Sequence, residues 1–103
     1  MAQPIYKLWQ GRLTEAWHQL SQEDQQSLLG KVMEALDTAG GKELVICDAA
    51  WSTERWPVFG LEEFPDIEAV QRHEQLLTDL NWARYIESRT SLGTEFSMPG
   101  NPG

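Results

Sequence analysis

The stretch Val58–Leu92 constrains the fold more than any other part of the chain. Its sequence, VFGLEEFPDIEAVQRHEQLLTDLNWARYIESRTSL, reads as strand, helix and strand with the stops written in. Val58–Phe64 is a β-rich run ending at Pro65, a residue that cannot donate a backbone hydrogen bond but suits a helix's first turn. Asp66 and Glu68 place negative charge at that helix's positive end. Asn81 supplies a stop after about Leu80, and Tyr85–Leu92 resumes β character until Gly93.

The upstream half repeats this layout without detectable sequence repetition. Ile5–Leu13 alternates as a strand, and Thr14–Leu20 is a connector with room for one helical turn. Ser21 reads as an N-cap with Gln22, Glu23 and Asp24 in the first turn. Leu28, Leu29, Val32, Met33, Leu36 and Ala39 then recur at helical spacing until Gly40-Gly41. Glu43–Trp51 is the second strand, and Ser52–Pro57 joins it to the third.

The order is therefore β-α-β-β-α-β, an α+β ferredoxin-like protomer with two helices on one face of a four-stranded antiparallel sheet. At 103 residues, 41% of them hydrophobic, the chain has the size and content of one domain with a core. We expect that domain over 1–96 and a flexible proline- and glycine-rich tail over 97–103. A net charge of −8 argues against nucleic acid or an anionic membrane as the main partner. The single cysteine, Cys47, suits a reducing compartment, and no apolar run approaches a membrane span. The expected location is the cytoplasm.

Strand alternation divides the side chains into two sets. Leu8, Val45, Cys47, Phe59, Leu61 and Ile86 form an almost wholly apolar set, expected beneath the helices. The other set holds Ile5, Trp9, Leu44, Ile46, Val58 and Phe64, mixed with Lys7, Asp48, Glu62, Glu87 and Arg89. It is too apolar to face water as one patch, so a homodimer through this exposed sheet face is expected.

With that order and the run FGLEEFPDIEAVQRHEQLL…WARYIESRTSLG, the chain resembles the dimeric α+β barrel superfamily over about residues 4–95. That group includes antibiotic-biosynthesis-type monooxygenases, haem-degrading monooxygenases, muconolactone isomerases and YCII-related proteins. The chain looks most like a branch of small bacterial proteins among them. The resemblance implies a ferredoxin-like protomer, and it implies no single activity because the superfamily hosts many chemistries.

His73 falls on the core-facing stripe of the second long helix, a position that resembles the axial haem ligand of the haem-degrading members. The asparagine on the first strand and the tryptophan near the second helix that those members use have no counterpart here. No cofactor and no metal is expected. The alternative for His73 is a buried histidine bonded to a neighbour. His18 and Asp48 form a second pair, similar to the histidine–aspartate pair of YCII-related proteins, if the fold brings them together; otherwise His18 is a surface residue of the connector. Glu62 and Arg89 suit proton handling and anion contact in a half-buried cavity, or else ion pairing between strands. Trp9 suits an apolar ligand wall, or packing. Two functions stay open. One is a small-molecule-binding protein or cofactor-independent enzyme with acid–base or monooxygenase-type chemistry. The other is a non-catalytic interaction or regulatory module.

Overall fold

The computed structural model describes residues 3–99. Its elements are β1 (Ile5–Leu13), α1 (Glu15–His18), α2 (Gln22–Thr38), β2 (Lys42–Asp48), β3 (Val58–Phe64), α3 (Ile67–Asp79) and β4 (Ile86–Gly93), with a 3-10 turn at Trp82–Arg84 before β4. The order is the ferredoxin-like one, with α1 as the single helical turn of the connector. Residues 100–103 of the expected tail lie outside the described residues.

Local chemistry sets the boundaries. Ser21 caps α2 by accepting the Asp24 backbone N–H at 3.1 Å. The helix closes where the N–H groups of Gly40 and Gly41 return to the carbonyls of Asp37 and Leu36, with Gly40 at φ 88°. Asp66 begins α3 by accepting the Ala69 N–H at 2.8 Å, so Pro65 stands just outside the helix. Asn81 takes the left-handed conformation (φ 56°) that ends it. β2 stops at Asp48, three residues before the expected end. The Asp48 side chain accepts from the Ala50 N–H, and the N–H groups of Ser52 and Thr53 both bond Ala49, which turns the chain away.

The sheet order is β2-β3-β1-β4, antiparallel throughout. Residues opposite one another in a ladder project to the same side. Phe64 pairs with Ile5, Glu62 with Lys7 and Glu43, and Gly60 with Trp9 and Ile46. Since Phe64 packs against Ala69 and Val70 of α3, this is the helix-facing side.

The expected faces are therefore exchanged. Ile5, Lys7, Trp9, Ile46, Asp48, Val58, Glu62 and Phe64 lie on the helix side. Leu8, Val45, Cys47, Phe59 and Leu61 lie on the side without helices, together with Glu87 and Arg89. Ile86, paired with Leu13, stays on the helix side as read: a Cβ on Gly11 would stand 2.8 Å from its Cδ1. The cause is the helix layer itself. Its inward contacts come from small residues, Ala35, Ala39 and Ala69, with Val70 and His73, and α3 supplies Glu74 as a counter-charge for Lys7. A layer built this way accepts a polar sheet face.

The core under the helices is small. Phe64, Ala69 and Val70 are buried, flanked by Ile5 and Leu36; burying Phe64 contributes about 2–3 kcal/mol. Trp17 and Trp82 meet edge to face, with ring centroids 6.1 Å apart. No helix among the described residues is long and apolar enough to cross a membrane.

Candidate functional site

The polar cluster between the sheet and α3 begins with two strand positions. Lys7 on β1 and Glu62 on β3 are register partners, and both are more than nine-tenths buried. Lys7 Nζ donates to Glu74 Oε1 on α3 at 2.5 Å, a charge-assisted bond that ties β1 to the helix. One residue earlier on α3, His73 is 3% exposed and packs against Phe64, ring centroids 5.4 Å apart. Glu43 joins from β2. A register shift between Glu43 and Val45 turns Glu43 to the same side as its partner Glu62.

Trp9 adjoins this cluster. Its indole lies across Gly60, where a Cβ would stand 2.6 Å from Nε1, and that Nε1–H donates to Glu43 Oε2 at 3.4 Å. The absence of a side chain at Gly60 is what lets the ring lie against the sheet and reach β2.

Burial governs the electrostatics. It pushes the Glu62 carboxyl up to about 7; Lys7 opposes the rise, and Glu43 and Glu74 add to it. Burial also lowers His73 to about 4, helped by the Lys7 ammonium and opposed by Glu74, so the imidazole is neutral at neutral pH. Glu43 is raised by burial against the lowering effect of its bonds to Trp9 and Glu62. Two buried atoms in the cluster have no hydrogen-bond partner: Oε1 of Glu62 and Nδ1 of His73.

Of the residues singled out from sequence, Glu62, His73 and Trp9 thus share one layer. Arg89, opposite Gln10 on the other side of the sheet, does not join them. Asp48 sits at the far end of β2, where it holds the Ala50 turn, and His18 is exposed on α1; no hydrogen bond or ion pair links the two. Glu43 and Glu74 were not anticipated. Glu74 follows His73 directly and faces Lys7, a buried cation on a strand, which was the available signal. Two surface depressions, one lined by Ala35, Leu76 and Leu80 and the other by Pro4, Gly40 and Phe64, touch neither Glu62 nor His73.

No protein-family model matches this sequence, and no curated protein matches it. Solved structures do. A chlorite dismutase variant from Candidatus Nitrospira defluvii superposes with a TM-score of 0.69 at 16% identity, covering 91% of this chain and 41% of that one. The methylated RPA0582 protein gives 0.64 at 16% identity and covers 98% of this chain and 86% of that one. A de novo designed protein, Foldit4, gives 0.52 at 13% identity over 91% and 99%. The fold these structures share with the chain is the ferredoxin-like α+β one. The chain spans less than half the length of the chlorite dismutase chain it resembles.

The resemblance at His73 read from the sequence raises the question of haem. A haem ligand needs an open position beside an imidazole nitrogen. Here the ring is 3% exposed, Nδ1 is sealed off and Phe64 lies against the ring. As packed, these residues do not fit a haem.

Proposed function

We propose that this chain is a homodimeric small-molecule-binding protein whose ligand, small and partly aromatic, binds between the sheet and α3. Neither surface depression opens onto Glu62 or His73, so binding requires α3 to part from the sheet. The observation that carries the proposal is the pair of buried, unpartnered atoms, Glu62 Oε1 and His73 Nδ1, donated by facing layers around Lys7. A buried polar atom without a partner costs about 1–3 kcal/mol. A ligand that bonds either atom recovers that cost, and Trp9 supplies an apolar wall beside them. As an enzyme the protein would be cofactor-independent and do acid–base chemistry. Glu62, poised to exchange a proton near neutrality, is the acid or base, and neutral His73 orients or accepts from the substrate.

The dimer covers the face without helices. Leu8, Val45 and Phe59 are exposed there beside half-buried Leu61 and Cys47, and Arg12, Arg89, Glu63 and Glu87 surround them. A patch carrying both signs of charge around an apolar centre complements itself across a two-fold axis. Arg89 and Glu87 act in this interface and not in the pocket. A second reading, a non-catalytic interaction module, draws on Trp51, which is 84% exposed, and on exposed Phe96.

Native mass spectrometry of the protein as purified, paired with an absorbance scan, tests the proposal. A dimer carrying an adduct that is lost in His73→Ala and Glu62→Gln, with the dimer intact, is the expected result. An adduct-free dimer whose variants change only the melting temperature points to the interaction module. A monomer overturns the interface.

A further inference from the structure

We propose that β2 is a pairing edge, which adds antiparallel to β2 of a second copy with Ile46 opposite Ile46 and joins the two sheets into one. This contact uses the side of the strand and is separate from the helix-free face. In the order β2-β3-β1-β4, β2 and β4 end the sheet, and among the described residues neither has a second neighbouring strand. A bare edge presents unpaired backbone N–H and C=O groups, and proteins blunt such edges with charged side chains. β4 carries Glu87, Ser88, Arg89, Thr90 and Ser91 along its middle, a polar run. β2 keeps its charges at the ends, Lys42 and Glu43 before and Asp48 after. Between them Leu44, Val45 and Ile46 are 42%, 47% and 58% exposed. Val45 lies on the helix-free side, where the dimer proposed above covers it. Ile46 lies on the helix side, opposite Gly60, and neither the helices nor a face-to-face partner covers it.

The strand's own chemistry selects the occupant. Antiparallel pairing of two copies brings Lys42 at the start of one β2 towards Asp48 at the end of the other, whereas parallel pairing sets like charges side by side. A two-fold axis through an antiparallel pair makes one residue face its own copy, and opposite residues share a side of the sheet. Centred on Val45, the pair sets Glu43 against Cys47, which the register shift has left on opposite sides. Centred on Cys47, it sets Ile46 against the Asp48 carboxylate. Centred on Ile46, it stacks Ile46 on Ile46 and Val45 on Cys47. Asp48, whose side chain already accepts from the Ala50 N–H, then falls beside Leu44 at the rim. Val45–Asp48 run in regular register with Leu61–Val58, clear of the irregularity between Glu43 and Val45. With about five residues a side, the contact is smaller than a stable standard interface, so it forms as concentration rises and does not hold in dilute solution.

Cysteine trapping tests the contact in the intact protein. In a Cys47→Ser background, Ile46→Cys places two thiols directly opposite, with Cα atoms about 4.5–5.5 Å apart, a span a disulfide bridges. Thr90→Cys, on the same side of the sheet at the β4 edge, is the control. In a glutathione redox buffer, Ile46→Cys should form an intermolecular disulfide at least about tenfold faster than Thr90→Cys, read on a non-reducing gel. The face-to-face dimer cannot produce that difference, because it leaves both copies of Ile46 on the outer sides of the paired sheets. Adding Phe59→Glu, which breaks that dimer, should therefore keep the crosslink. Equal rates for Ile46→Cys and Thr90→Cys overturn the edge pairing, as does loss of the crosslink on adding Phe59→Glu. Amide hydrogen exchange of the wild type reads the same contact without a substitution. The outward-pointing amides of β2 should slow as protein concentration is raised while those of β4 stay fast, and exchange independent of concentration in both strands overturns the proposal.

Discussion

Glu62 and His73 make opposite demands on pH, and their opposition can be taken apart by mutation. Glu62 has a folded-state value of about 7 against an ordinary 4.5, so across that window the folded chain holds a proton the unfolded chain has released. Its contribution is favourable below 4.5 and is lost as pH rises through 7. His73 is lowered from 6.5 to about 4, so the unfolded chain binds its proton first and stability is lost as pH falls from 6.5 to 4. Each shift corresponds to at most about 3.5 kcal/mol at about 1.4 kcal/mol per pH unit. Between pH 4.5 and 6.5 the two slopes have opposite signs and nearly cancel. Urea unfolding of the wild type, Glu62→Gln and His73→Asn across this range reads each one alone. Relative to wild type, Glu62→Gln should gain up to about 3 kcal/mol from pH 4.5 to pH 7.5, whereas His73→Asn should gain a similar amount as pH falls from 6.5 to 4. Differences that stay constant with pH would refute the burial argument for both groups.

Gly60→Ala puts a methyl group 2.6 Å from the Trp9 indole and should cost about 1–3 kcal/mol in urea unfolding while shifting the Trp9 indole N–H resonance. Asp66→Ala removes the cap on the Ala69 N–H and should cost about 1 kcal/mol, measured by thermal melting. Phe59→Glu places a charge in the open apolar face and should convert dimer to monomer in sedimentation velocity; a persistent dimer would refute that interface.

The element order was legible because Pro65, Gly40, Gly41, Ser21 and Asn81 act through local backbone chemistry that needs no tertiary information. The strands Ile5–Leu13 and Val58–Phe64 have the bounds their alternation suggests. Which strand face met the helices was not legible. Alternation separates two sets of side chains without saying which is inward, and the more apolar set turned out to face away from the helices. Glu43 was hidden for a more specific reason. Simple alternation groups it with Val45 and Cys47, and only the register shift after it turns it toward Glu62. Asp48 was misread as strand interior because its side chain's bond to Ala50, which ends β2, depends on a turn and not on hydropathy.

The strand order has a consequence for how the chain is made. β1, the first of the sheet's four strands in the chain, sits in the interior of the sheet, with Ile5 paired to Phe64 on one side and Tyr6 to Gly93 on the other. Both ladders span most of the sequence, so little of the sheet can form by local closure. On the ribosome, Leu8 and Trp9 emerge long before either neighbour exists, and the final ladder waits for Gly93. Until Val58–Phe64 has been made, the nascent chain therefore carries an unpaired hydrophobic strand, the kind of exposed segment that invites aggregation.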